Sequence, residues 1–167
     1  MIIRVAKRKD ASALIELIAG LDRHPAHNAP GIWSHGSPRA RLGSMMRDSA
    51  VRVLVAEEDG RLLAYVAGKF EIRPQGQPRR VGQIMQAFVK SGLRRRGVGT
   101  ALVADLLTWF DKRRVESVTL SYVLANREGR SFWTRLGFRP LIVRANATPA
   151  TIRRRTARFR SRSASPR

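Results

Sequence analysis

Residues 88 to 101, FVKSGLRRRGVGTA, constrain this chain more than any other stretch: an apolar run enters an Arg-rich, Gly-punctuated turn that opens directly onto a helix-forming sequence. A helix beginning near Gly97 leaves its first-turn N–H groups without intrahelical partners and carries partial positive charge at that end. An anion is the natural ligand there. Gly97 and Gly99 remove side chains where a bound group must approach the backbone, while Arg94, Arg95 and Arg96 add guanidinium forks suited to phosphate oxygens. The segment reads as a pyrophosphate cradle fed by a strand. It is neither a Walker loop, which needs GxxxxGK followed by Ser or Thr, nor a dinucleotide fingerprint, which needs GxGxxG.

The rest of the chain alternates strands and helices around this point. Apolar spacing predicts a strand near Ile2–Ala6 and a helix from the Asp10 cap through Leu14, Ile15, Leu17 and Ile18 to Gly20. A loop, Asp22–Pro38, then holds His24, His27, His35 and Trp33, and a short helix follows over Pro38–Asp48. Strands Val51–Glu57 and Arg61–Ile72 are joined by the Asp59-Gly60 hairpin signal. Strand Val81–Val89 feeds the cradle, and the helix Gly97–Arg113 places Leu102, Val103, Leu106, Leu107 and Phe110 on one core face. Strand Ser117–Leu124, helix Arg127–Leu136 with Gly137 as its C-cap, and a last strand Phe138–Ala147 complete the reading.

The pattern Arg94-x-x-Gly97-x-Gly99, set five residues after Val89, resembles the acyl-CoA signature of the GNAT N-acetyltransferase superfamily. A second match follows in order: VTLSYVLANREGRSFWTRLGF, Val118 to Phe138, is similar to the family's later strand, Asn, short helix and LGF. The resemblance covers about residues 2 to 147 and implies an α/β fold with a central mixed sheet of about six or seven strands flanked by about four helices. It also implies that the strands Val81–Val89 and Ser117–Leu124 splay apart, with pantetheine in the gap pairing with Phe88 and Val89 as an added strand would. Acetyl-CoA is the co-substrate so implied, bound by Ala87, Phe88, Val89, Arg94, Arg95, Arg96, Gly97, Val98, Gly99, Thr100, Asn126 and Trp133. The reaction is direct attack of a primary amine, of a small molecule or a protein, on the thioester. Such a chain is expected in the cytoplasm, where relatives often pair as homodimers through a last strand such as Leu141–Val143.

The acid and base positions depart from the family's usual residues. Trp133 stands seven residues after Asn126, where many relatives place a Tyr, and an indole has no acidic hydroxyl. Gln83, Gln86 and Ser121 occupy the strand positions where relatives often place a Glu, and none titrates near neutral pH. Water, Glu71 or a loop histidine are the remaining routes for the proton. No metal site is expected, because the three histidines lack carboxylate or thiolate partners at ligand spacing and the chain has no cysteine.

Charge is the other strong signal. The 33 Lys and Arg against 12 Asp and Glu give +21, of which the tail Ile152–Arg167 supplies seven Arg. Composition marks residues 148–167 as a disordered Arg/Ser-rich tail without a helix, following a domain of residues 1–147. A field this basic attracts nucleic acid non-specifically, so a second function class stays open: a catalytically weak or inactive, strongly basic module of the same fold docking on nucleic acid or an acidic protein. No segment is apolar enough to cross a membrane.

Overall fold

The computed structural model describes residues 1–24, 36–142, 145 and 147–163, with side chains to Ala157 in the final helix. Its centre is a five-stranded sheet in the order β1 (Ile2–Val5), β2 (Val51–Glu58), β3 (Arg61–Ile72), β4 (Arg80–Val89) and β5 (Ser117–Leu120). All neighbours run antiparallel except β4 and β5, which are parallel. β2 and β3 read as almost unbroken apolar runs because helices cover both faces of the sheet. Val53 and Val55 face a cluster with Leu14, Leu17 and Ile18 of α1 (Ala11–Asp22) and Leu42 and Met45 of α2 (Pro38–Arg47). Leu54 and Ala56 face the other way, toward Leu102, Val103, Leu106 and Phe110 of α3 (Val98–Asp111).

Two β-bulges shape the sheet. One lies where the register of β2 and β3 slips between Ala56 and Glu57, and the other where Gly68 pairs with Ile84 while Ala67 pairs with Gln86. The second leaves Met85 as the extra residue of β4, which bends that strand ahead of the cradle. Helix α3 lies close over the same region. A Cβ on Gly68 would sit 2.8 Å from both methyls of Leu106, and one on Gly82 would sit 2.8 Å from the ring of Phe110.

The α/β mixed sheet matches expectation, and three details differ. The sheet has five strands rather than six or seven, because β5 ends at Leu120 and the described residues between Phe138 and Ala147 form no strand. That run contains Pro140, which has no N–H to give a ladder, and its Leu141 and Ile142 are 89% and 91% exposed. Val143 of the suggested dimer edge lies outside the described residues. The apolar face of α3 includes Val98 and Trp109 and leaves Leu107 exposed. Finally, the tail is helical: α4 (Arg127–Arg135) is followed by α5 (Pro149–Ser163). Composition argued against that helix, but Thr148 caps it, accepting the Thr151 amide on its hydroxyl at 3.2 Å, with Pro149 at the first helical position.

Candidate functional site

β4 is paired on its β5 side only over Val81–Ile84, which face Ser117–Leu120. Beyond that point β5 stops, and β4 runs on through Ala87, Phe88 and Val89 with its ladder to β3 as its only described strand pairing. The two strands therefore part into a gap whose β4 wall is a main-chain edge without a strand partner among the described residues. After the bulge, Ala87 and Val89 pack toward α3, whereas Phe88 packs toward α1. Gly20 of α1 is needed there, since a Cβ on it would meet the Phe88 ring at 2.9 Å.

The free edge leads into the turn. A 3-10 turn over Ser91–Leu93 is closed by the Arg94 amide on Ser91 O, and the first amide of α3 to reach a main-chain carbonyl is that of Ala101, on Gly97 O. The amides of Arg95, Arg96, Gly97, Val98, Gly99 and Thr100 find no acceptor among the described residues. Arg95 and Gly97 both lie in the left-handed region, at φ 62° and 80°. That conformation turns consecutive N–H groups toward one side, an arrangement that cradles anions. Nothing approaches a Cβ built on Gly97, so its lack of a side chain serves the backbone conformation. Gly99 has a different role: a Cβ there would meet Phe132 at 3.3 Å and Val89 at 3.6 Å, so this glycine lets α3 sit against α4 and β4.

The three arginines are not equivalent. Arg94 is a clamp, its Nε donating to Val89 O at 3.2 Å and its Nη1 to Glu128 Oε2 at 2.8 Å, which ties the strand end to α4. Arg95 and Arg96 are exposed, as is Thr100. The orphaned amides and these two free guanidinium groups fit a diphosphate, and the open β4 edge fits an extended amide chain. Asn126 caps α4 by accepting the Gly129 amide at 2.9 Å, leaving its own NH₂ as a donor. Trp133 is 8% exposed, in edge-on contact with Phe132 and Phe138, and belongs to the core cluster on the α3 side.

The remaining candidates scatter. Gln83 is exposed near the far end of β4, and Ser121 is exposed just past the end of β5, where the gap opens. Glu71 pairs with Val81, eight residues or roughly 27 Å along β4 from Val89, so it does not face the gap. His27, His35 and Trp33 lie outside the described residues, and His24 follows the end of α1. A surface cavity of about 350 Å³ lined by Val5, Met45, Arg52 and Trp109 sits at the opposite end of the sheet. Among the described residues no group of His, Cys, Asp and Glu is placed to hold a metal.

Gln86 does enter a polar cluster that sequence reasoning missed. Its Oε1 accepts the Tyr65 hydroxyl at 2.9 Å, and burial holds that phenol well above its ordinary range, so it remains a donor at neutral pH. Beside Tyr65, Arg41 of α2 pairs with Asp22 at the end of α1, and the Arg41 Nε is buried with no partner among the described residues. The sequence carries no signal for this cluster: Tyr65 reads as one more apolar residue of LLAYVAG, and only the fold brings α1, α2 and β4 together.

The profile of the acetyltransferase (GNAT) family matches residues 3–138. No curated protein matches the sequence. Among solved structures, the tetramutant of the BH1408 protein from Bacillus halodurans superposes with a TM-score of 0.78 at 19% identity, covering 89% of this chain and 99% of that one. The aminoglycoside antibiotic 6'-N-acetyltransferase AAC(6')-IG from Acinetobacter haemolyticus gives 0.70 at 18% identity over 89% and 97%. The ribosomal-protein-alanine N-acetyltransferase from Brucella melitensis biovar Abortus 2308 gives 0.65 at 19% identity over 87% and 100%. At these identities the likeness is one of fold.

Proposed function

The chain belongs to the acetyltransferase (GNAT) family, and on that premise we propose that it transfers an acetyl group from acetyl-CoA to a primary amine by direct attack. The observation that carries the reading is the continuity of the β4 edge past Ile84, which has no strand partner on that side, with the unpartnered amides of Arg95 to Thr100. In this reading the amides and the Arg95 and Arg96 side chains hold the diphosphate, while the β4 edge and the Asn126 carboxamide hold the pantetheine amides. Acetyl-CoA, when bound, would supply an acyl group already activated as a thioester; as the amine nitrogen bonds the acyl carbon the C–S bond breaks, and CoA would leave as a thiolate that takes its proton from water. A main-chain N–H near Val89 polarises its carbonyl.

The chain's own groups then set how protons move. Gln83, Gln86 and Ser121 do not titrate near neutral pH, and the Trp133 indole is no acid. Proton removal from the ammonium therefore runs through water, oriented on the acceptor side by the half-buried Gln86 carboxamide, which the buried Tyr65 hydroxyl holds in place by donating to its Oε1. The cluster of Asp22, Arg41, Tyr65 and Gln86 borders the acceptor, which is an amine of a small molecule or of a protein. The activity belongs in the cytoplasm, with the acetyl-CoA it uses.

The test is a thermal-shift titration with acetyl-CoA, desulfo-CoA and free pantetheine, on the wild type and on R95E/R96E. Binding to the folded state alone raises Tm. Acetyl-CoA is expected to raise the wild-type Tm, with the affinity of the double variant about tenfold or more weaker, because two attractive charges at the diphosphate become repulsive. Without ligand the double variant should melt no lower than the wild type, since these side chains are exposed and the reversal lowers the net positive charge. No shift with acetyl-CoA, or an equal shift in both proteins, would rule the cradle out.

A further inference from the structure

Beyond Glu128 the sequence contains no Asp or Glu, and this acid-free stretch includes α5. The helix has no extended packing interface with any other element among the described residues, and its Ile152 is 51% exposed. The side chains of Arg153, Arg154 and Arg155 are exposed and have no carboxylate within ion-pair distance among the described residues. Helical positions step by about 100°, so these three arginines span about 200° of the circumference.

Such a helix lacks the usual supports. Among the described residues it buries no apolar stripe on a core, and most of the stability of a helix this short comes from such packing. Arg153, Arg154 and Arg155 crowd three positive charges into one turn, and their mutual repulsion opposes it further. A polyanion would reverse the sign of that repulsion, and the width of the basic arc specifies which. A flat acidic protein face reaches one side of a helix, whereas a groove places phosphates on both. The major groove of B-DNA is about 12 Å wide and admits a helix about 10 to 12 Å across, whereas that of A-form RNA is too narrow. An anionic membrane would need a broad apolar face, and among the described residues the arc left between the arginines holds Pro149, Ile152 and Thr156.

We propose that α5 is a docking helix for duplex DNA, seated in the major groove and held by phosphates on both walls. Phosphate contacts carry no base information, so the binding is independent of sequence. The inference does not rest on acyl transfer.

The experiment follows the full-length protein by fluorescence anisotropy on a random-sequence DNA duplex of about 20 base pairs over a range of salt. A matched RNA duplex and phosphatidylserine vesicles serve as competitors. R153Q/R154Q/R155Q is compared with R153K/R154K/R155K. The glutamine variant should bind DNA about tenfold or more weaker, with the slope of log K against log salt reduced by about 3, while the lysine variant stays close to wild type. Far-UV circular dichroism should show helix content rising when DNA is added to the wild type. The acetyl-CoA thermal shift, unchanged in either variant, separates this site from the cradle. Equal DNA affinity of the glutamine variant and wild type would overturn the proposal, as would tighter binding to the RNA duplex or to the vesicles.

Discussion

Asp10 is the buried charged residue of the described chain, 7% exposed, and it is held on three sides: Arg4 donates to both its oxygens at 2.7 and 2.9 Å, and the Lys7 amide donates at 2.7 Å. The Arg4 guanidinium also pairs with Glu57, tying β1 to β2 while it anchors the entry to α1. The Arg4 hydrogen bonds, working against burial and aided by the Lys7 amide, lower the Asp10 carboxyl from its ordinary 3.8 to about 2. A depressed carboxyl stabilises the fold fully above its unfolded value, and the gain is lost as pH falls from about 4 toward 2. The shift corresponds to roughly 2 kcal/mol. Asp10→Asn is therefore expected to lower the urea-unfolding free energy by about that amount at pH 6, with the deficit shrinking near pH 2.5. An equal deficit at both pH values would show that packing, and not the carboxylate, is responsible. From the sequence, Asp10 was legible only as a helix cap; its pairing with Arg4 and Glu57 required β1 and β2 to be side by side.

Strand β4 shows how one element serves two demands. Its first half is sealed under α3, where Gly82 leaves room for the Phe110 ring, and its second half must stay open on one edge. Gly82→Ala would push a methyl into a rigid, fully buried ring and is expected to cost about 1 to 3 kcal/mol, read as a lower midpoint in chemical denaturation. A midpoint unchanged from wild type would mean that α3 can slide. The boundaries of β3 and β4 were legible to within a residue, because apolar runs closed by Asp59-Gly60 and the Arg-rich turn leave little choice. The length of β5 was not. Val118 to Leu124 is apolar enough to continue, but Ser121 onward finds no partner once β4 has bent at Met85, and a bulge carries no sequence mark. The helix α5 was missed for a different reason: its charge outweighed the Thr148-Pro149 start signal in a reading by composition.

At the scale of the whole molecule, +21 on 167 residues is a self-repelling field, and the described ion pairs are few. Screening should relieve more repulsion than it removes attraction. Between about 0.02 and 0.3 M salt the screening length contracts from roughly 20 Å to roughly 6 Å, and Tm is expected to rise by a few degrees in scanning calorimetry. A fall in Tm over that range would show that the internal pairs outweigh the net field. The sequence by itself determined the α/β class and the order of elements from β1 to α4, because hydrophobic period, glycine and capping act over a few neighbouring residues. Only the tertiary structure decided that β4 and β5 part after Ile84, that Arg94 is spent on Val89 and Glu128 while Arg95 and Arg96 stay free, and that Tyr65, Gln86, Arg41 and Asp22 meet. Those outcomes depend on contacts between residues far apart in the chain, which local pattern does not encode.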